Sequence, residues 1–408
     1  MQLTKNKIYP WVMIACCCLL ATASIGIAVN CMGVYYASIA EELNVGLGQV
    51  SVYLTILNLT CGLCGPLVIA LTKKVNIRIV LAVGGLGTAV SYVALANANA
   101  LWQIYALALI QGVLTAMSGM VIVTTLVSNW FNKAMGIAAG ISLSFSGLMG
   151  AVLSPVFSSI IQSSGWRTSY YVAAAAVVVC VVPALIVVRL HPAELNIPRY
   201  GDSTVTQPAV PAAGEKKKDT DIFRAVPFYM LAASSVFAAF ISGFGTHAAN
   251  MASSVGLTPE VGALMVSAVM VGNMTSKLVS GVLCDVFGPR RAVTLIFGCS
   301  ALGCLGMVFV HHPIAMFVCC FLLGTSYSIC GVGLSTMARD IFGATRFSSA
   351  YSYMTTAGFA GSAVAFSLIG FSFDLFHTFS PALIFCTVIC TLSMLFIQIA
   401  YRKSKKAG

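Results

Sequence analysis

Residues 272–291 read GNMTSKLVSGVLCDVFGPRR. The first part continues an apolar run that begins near 259 and is interrupted by a single formal charge, Lys277. The last part, Asp285-Val-Phe-Gly288-Pro-Arg290-Arg291, is a compact charged turn, with Gly288 supplying the freedom a tight reversal needs. Another apolar run starts at once. A hydrocarbon core of ~30 Å is crossed by ~20 apolar residues in a helix, so the stretch reads as the end of one membrane span, a turn, and the start of the next.

The same pattern recurs along the chain. Of 408 residues, 59% are hydrophobic and 8% charged, and the mean hydropathy is +0.95. Soluble domains carry about 25% charged residues, so this is an integral membrane protein. Its runs are helix length, unlike the ~10-residue alternating segments of a β-barrel. Twelve spans are expected: 9–39, 47–72, 78–97, 101–128, 134–162, 167–190, 225–252, 259–284, 291–310, 313–338, 347–373 and 379–401. The first is too long for a cleaved leader. The expected fold is an all-α membrane protein of two six-helix bundles, 1–190 and 225–408, joined by a polar segment 191–224 with no hydrophobic period, read as a loosely ordered linker.

Charge placement sets the expected orientation. With both termini inside, the inner segments hold Lys5, Lys7, Lys73, Lys74, Arg78, Lys133, Arg189, Arg199, Lys216, Lys217, Lys218, Arg224, Arg290, Arg291, Arg339, Arg346, Arg402, Lys403, Lys405 and Lys406. Only Arg167 lies outside and only Lys277 within. The net charge of +11 is then a topogenic signal rather than a nucleic-acid surface. The run 216–218 suits the anionic inner leaflet. A plasma or inner membrane location follows, with lipids as partners. The 15 cysteines fall mostly in apolar runs and read as small packing residues; Cys61 and Cys64 have redox-like spacing but lie inside a span.

The halves look duplicated. Arg78 matches Arg290 and Asn76 matches Gly288 at an offset of 212. Phe131, Gly147 and Gly150 match Phe342, Gly358 and Gly361 at 211. In that register Asn76 is expected to take φ > 0 as Gly288 does. Gly281-x-x-x-Asp285-x-x-Gly288-x-Arg290-Arg291 resembles the loop signature of the major facilitator superfamily. The resemblance implies two bundles that rock about a midplane site and a gate at Asp285, Gly288, Arg290 and Arg291, with Arg78 as the first-half counterpart. There the signature is eroded, Ile69 standing for its first Gly and Lys73 for its Asp.

Three stretches resemble the monocarboxylate transporter and oxalate/formate exchanger branch more narrowly. They are Gly33-Val-Tyr-Tyr36 with Glu41-Glu-Leu43-x-Val45, Asn129-Trp-Phe131 with Gly136-Ile-Ala-x-Gly140, and Lys277 where that branch carries a substrate-binding arginine. The departures bear on coupling. Asn273 stands where proton-coupled carriers have an Asp one turn before the basic residue, Asn30 stands for a span 1 lysine, and span 11 lacks a second basic residue.

A lysine at membrane depth costs about 2.5–3.5 kcal/mol on insertion scales. Lys277 lies about 13 Å from the inner end of its span at 1.5 Å per residue. Acidic residues fall only near span ends, so an anionic substrate is the favoured reading; a snorkelling lysine and a proton-carrying lysine are the others. Asn273, Asn30, Tyr35, Gln111, His247 and Tyr327 are the remaining substrate-binding candidates, each also readable as an interhelical hydrogen bond. The expected function is a monomeric secondary transporter of a small organic anion, most simply a monocarboxylate, by anion exchange or by symport with a proton. An exporter of amphipathic compounds and a non-transporting sensor are the rivals. The sequence lacks a GxxxxGK[ST] loop for direct ATP use, and neither enzyme activity, metal nor cofactor is expected.

Overall fold

The computed structural model describes residues 2–72, 74–132, 135–202, 222–223, 225–310 and 312–404. Lys73, Lys133, Arg224 and the lysine run 216–218 lie outside the described residues, as do the side chains of Lys5, Lys7, Ile69 and Arg346. The helices are α1 (Gln2–Ala21), α2 (Tyr36–Leu43), α3 (Leu47–Thr72), α4 (Ile77–Ala96), α5 (Leu101–Ser118), α6 (Met120–Trp130), α7 (Met135–Val187), α8 (Val226–Phe244), α9 (Ala248–Ser254), α10 (Pro259–Phe287), α11 (Pro289–Phe309), α12 (Pro313–Gly324), α13 (Leu334–Phe376) and α14 (Ser380–Ser404). An apolar segment in lipid must satisfy its own backbone groups, which selects helix.

Among the described residues, eleven segments are long and apolar enough to cross a membrane. One of them, Ile137–Val187, has 51 residues, about 77 Å as a continuous helix. Gly165, with φ 81 and ψ 161, breaks it into two spans. The total is the expected twelve. Large aliphatic and aromatic side chains such as Leu302, Phe309 and Leu375 are left 64, 75 and 72% exposed, as a lipid-facing surface requires.

Among the described residues, four spans contain an interrupted helix. Span 1 carries a π stretch, Thr22–Asn30, and a 3-10 turn, Met32–Val34. Span 4 breaks at Gly119 between α5 and α6. Span 7 passes through a 3-10 turn at Gly245–His247, and span 10 through a π stretch at Ile329–Gly333. Spans 1 and 7, and 4 and 10, are equivalent in the two halves, so the interruptions follow the duplication. Irregular backbone at membrane depth is tolerated where it lines a cavity or is buried in protein.

By internal contacts the chain divides into two units. The first comprises Met1–Asn30, Thr60–Gly150 and Ile160–Glu215. In it Arg78 ties the start of α4 to the last carbonyls of span 6, its Nη2 donating to Ile186 O at 2.6 Å and its Nε to Val188 O at 3.3 Å. The second comprises Cys31–Leu59, Ala151–Ser159 and Lys216–Gly408. There the corresponding residue, Arg290, ties the start of α11 to span 12 through Gln398.

Two expectations are corrected. Asn76 has φ −57 and ψ 131; it caps α4, its side chain accepting from Arg78 N at 3.0 Å. The turn is thus solved by an N-cap in the first half and by a positive φ of 78 at Gly288 in the second. Residues 191–202 are not loose. Pro192–Leu195 form a 3-10 turn, Tyr200 pairs its backbone with Trp130 and Asn132, and Arg199 Nη2 donates to Ser128 O at 2.6 Å. Trp130 Nε1 and Asn129 Nδ2 in turn hold Arg189 O and Leu190 O. The Asn129-Trp-Phe131 stretch is a clamp on the segment that follows span 6.

Candidate functional site

The second unit holds Lys277, in the second half of α10. It is half-buried, with exposed Leu278 and Val279 beside it and buried Ser276 and Ser280 around it. Among the described residues no hydrogen bond or ion pair reaches its ammonium. Asn273, one turn earlier, is 1% exposed; its Nδ2 makes a long contact to Met270 Sδ at 3.8 Å and its Oδ1 has no partner among the described residues. Residues four apart share a helix face, so a cation and an unsatisfied amide oxygen lie side by side on α10.

The π stretch of span 10 faces this part of the unit. Cys330 lies within electrostatic reach of Lys277, and its Sγ sits 3.8 Å from Ser235 O on α8. Ser235 is 1% exposed and its hydroxyl is unpartnered among the described residues. Tyr351, on α13, lies within electrostatic reach of Cys330. Sequence reasoning passed over Ser235, Cys330 and Tyr351, because a serine, a cysteine and a tyrosine in apolar spans carry no charge to mark them. Tyr327, one turn before Cys330, donates its hydroxyl to Ser242 O at 2.7 Å and packs over Gly245. It therefore braces the interruption of span 7.

His247 and Tyr35 sit elsewhere in the unit. His247 is fully buried; its Nε2 lies 2.9 Å from Phe366 O, and its ring packs on Tyr36 at 5.4 Å and Phe379 at 6.0 Å. A carbonyl can only accept, so Nε2 carries a proton; Nδ1 is unpartnered among the described residues. Tyr35 is 2% exposed, its ring 6.1 Å from Phe157. In the first unit, Asn30 donates Nδ2 to Ser146 O at 3.2 Å, joining the end of its π stretch to span 5, and Gln111 is fully buried on α5.

His247 belongs to a closure in which spans 1, 2 and 5 meet spans 7, 8 and 11. The 3-10 turns of spans 1 and 7 touch backbone to backbone: a Cβ on Gly33 would lie 1.8 Å from Thr246 O. Asn250 Nδ2 also reaches Gly33 O at 3.3 Å. Ser267 Oγ donates to Ala151 O at 2.6 Å. Span 2 meets span 11 through Asp374, whose two carboxylate oxygens accept from Leu47 N at 2.9 Å and Gly48 N at 2.8 Å. These are the first amides of α3, which have no partner within the helix. A carboxylate there is favoured by both hydrogen bonding and the helix dipole. Thr55 Oγ1, further down α3, lies 2.6 Å from Ser367 Oγ.

At the other end of α10, Asp285 is exposed and makes no ion pair among the described residues. Gly288 has open space around its α-carbon, so its φ of 78, not crowding, accounts for the glycine.

Among the described residues, twelve apolar spans, one cation well inside a span and interruptions repeated in both halves define a polytopic transporter of the duplicated-bundle class. The family profile of the Major Facilitator Superfamily matches residues 18–249 and 230–407. The chain belongs to that superfamily, a family of membrane transporters rather than enzymes. Among curated proteins it is 23% identical over 331 residues to monocarboxylate transporter 4 of Gallus gallus, covering 78% of this chain and 67% of the relative. Among solved structures it is similar to a bacterial homologue of the human lysosomal transporter Spinster in an inward-facing, unoccupied conformation, with a TM-score of 0.76, 13% identity and 98% of each chain covered. It is also similar to a point mutant of the nucleoside transporter NupG, with a TM-score of 0.68, 12% identity, and 96% of this chain and 99% of that one covered.

Proposed function

We propose that the chain is a secondary active transporter of a small organic anion, a monocarboxylate in the simplest case, whose carboxylate is held by Lys277. The observation that carries this reading is a half-buried lysine in an apolar span with no ionic partner among the described residues. A bound carboxylate supplies that partner and offsets the desolvation of the cation. Distant similarity to a monocarboxylate transporter supports the same substrate class. Asn273 and Ser235 offer hydrogen bonds to the substrate's polar groups, and Cys330 and Tyr351 offer surface to its body.

In this reading the bundles 1–190 and 225–408 rock about the site, and Asp374 with the α3 start latches the outer end. Coupling is by anion exchange. Asn273 cannot take the proton that an Asp would, whereas Lys277 is neutralised by cargo in either direction. The turn Asp285–Arg291, with Arg78, belongs to the inner end.

The test is flux of labelled small carboxylates in proteoliposomes, with and without internal anion and with and without a pH gradient. Internal anion is expected to stimulate uptake, Lys277→Arg to keep part of it, and Lys277→Gln to lower it by at least about tenfold, the scale of a lost charge-assisted bond. Uptake driven by the pH gradient alone overturns exchange. Undiminished flux in Lys277→Gln overturns the role of the lysine.

A further inference from the structure

A second charged site lies at the opposite end of α10 from Asp374, where α11 begins beside the end of α14. A cavity of about 490 Å³ there is lined by Arg290, Arg291, Thr294, Leu295 and Gln398. Its polar wall is braced by a ring of hydrogen bonds: Arg290 Nε donates to Gln398 Oε1, Gln398 Nε2 to Thr294 Oγ1 at 3.2 Å, and Thr294 Oγ1 to Arg290 O at 2.8 Å. The ring fixes the Arg290 guanidinium and leaves its terminal nitrogens available. Among the described residues neither arginine forms an ion pair. The first turn of α11 has no acidic residue, and the last turn of α14 adds Arg402 and Lys403. Asp340 and Arg290 both lie within electrostatic reach of Tyr401, so one carboxylate stands near four cations, Arg290, Arg291, Arg402 and Lys403, and the cluster keeps a net positive charge that an anion can join.

The surroundings specify what kind of anion. From Leu295 in the cavity wall, 56% exposed, α11 continues with Leu302 and Phe309 exposed at 64 and 75%, and α14 exposes Leu395 and Ile399 at 54 and 40%. Cationic wall and aliphatic track adjoin at the end of two membrane spans, the depth at which lipid headgroups lie. Basic pockets between transmembrane helices at that depth suit anionic headgroups, and the planar fork of arginine matches phosphate oxygens. We propose that this cavity binds the phosphate headgroup of an anionic phospholipid, with its acyl chains along α11 and α14. The site is independent of the substrate reading at Lys277.

The test is native mass spectrometry of the full chain in detergent, with phosphatidylglycerol and phosphatidylcholine of matched chains, and with inorganic phosphate as competitor. Phosphatidylglycerol is expected to be retained roughly tenfold over phosphatidylcholine. The double variant Arg290→Gln/Arg291→Gln is expected to lose that preference, Arg290→Lys/Arg291→Lys to keep part of it, and Arg402→Gln/Lys403→Gln to keep most of it. Each variant is scored only if monodisperse; the single variant Arg291→Gln, at an exposed position, replaces the double one if that misfolds and is expected to weaken the preference. Equal retention of the two lipids, an unchanged preference in the Arg290/Arg291 variants, or equal loss in the Arg402/Lys403 variant overturns the proposal. Full displacement by inorganic phosphate also overturns it, by assigning the cavity to a soluble anion.

Discussion

Lys277 and Asp374 are charges of opposite sign with opposite surroundings. The lysine has no ionic partner among the described residues, whereas both oxygens of the carboxylate are engaged by backbone amides. Sequence makes the first conspicuous, since one cation in an apolar run must be explained. It hides the second, because the partners of Asp374 are amides 326 and 327 positions away and leave no mark in residue identity. Asn273, Tyr327 and His247 show the complementary difficulty. All three are polar residues in spans, but only the fold separates the amide beside Lys277 from a brace and a closure contact. Replacing Asp374 by Ala removes two charge-assisted bonds, each worth about 1.5–3 kcal/mol. The expected result is a shift of roughly tenfold or more toward the form open at that end. It is read as faster thiol labelling of a Ser51→Cys probe on a background without native cysteines. Unchanged labelling means that Asp374 does not hold the closure.

At the scale of elements, apolar run length located the spans to within a few residues, because lipid leaves the backbone no choice but helix. The interruptions in spans 1, 4, 7 and 10 were not legible. Each contains a glycine, but so does α4 at Gly84 and Gly85, which stays regular. Close contact does not separate them either, since a Cβ on Gly85 would stand 2.4 Å from Val181 Cγ1 in a regular helix, while one on Gly331 in the span 10 interruption would meet nothing within 4 Å. The seam between α3 and α13 is tight. A Cβ on Gly370 would stand 2.5 Å from Ser51 Oγ and 2.8 Å from Gly48 Cα. Gly370→Val is therefore expected to force the two helices apart without disturbing either one. A Thr55→Cys/Ser367→Cys pair, built where the hydroxyls lie 2.6 Å apart, is expected to cross-link readily. Adding Gly370→Val should lower that yield severalfold and reduce flux. Full cross-linking in the valine variant refutes the steric argument.

For the whole molecule, twelve spans and superfamily membership were legible from hydropathy, the 211–212 offset and the Asp285–Arg291 turn. The duplication runs deeper than those matches, since Arg78 and Arg290 tie equivalent helix ends in the two halves. The ordered segment 191–202 was not legible, because its order rests on backbone pairing with Trp130 and Asn132 rather than on any hydrophobic period. Orientation is expected to follow the distribution of Lys and Arg, with both termini cytoplasmic. A green fluorescent protein fused after Gly408 should fluoresce, and a phosphatase active only across the membrane should be silent at that position. The reverse pair of signals overturns the orientation.

The Asp374 clasp lies at the start of span 2 and near the end of span 11 rather than midway along them, and that position governs how it lets go. Separated within hydrocarbon, a carboxylate and two amides would be stranded at a cost of several kcal/mol each. At the span ends they pass to solvent. Release is therefore an act of hydration, in which water takes over each bond as it is surrendered, and the equilibrium between clasped and unclasped forms follows the activity of water as well as the presence of cargo.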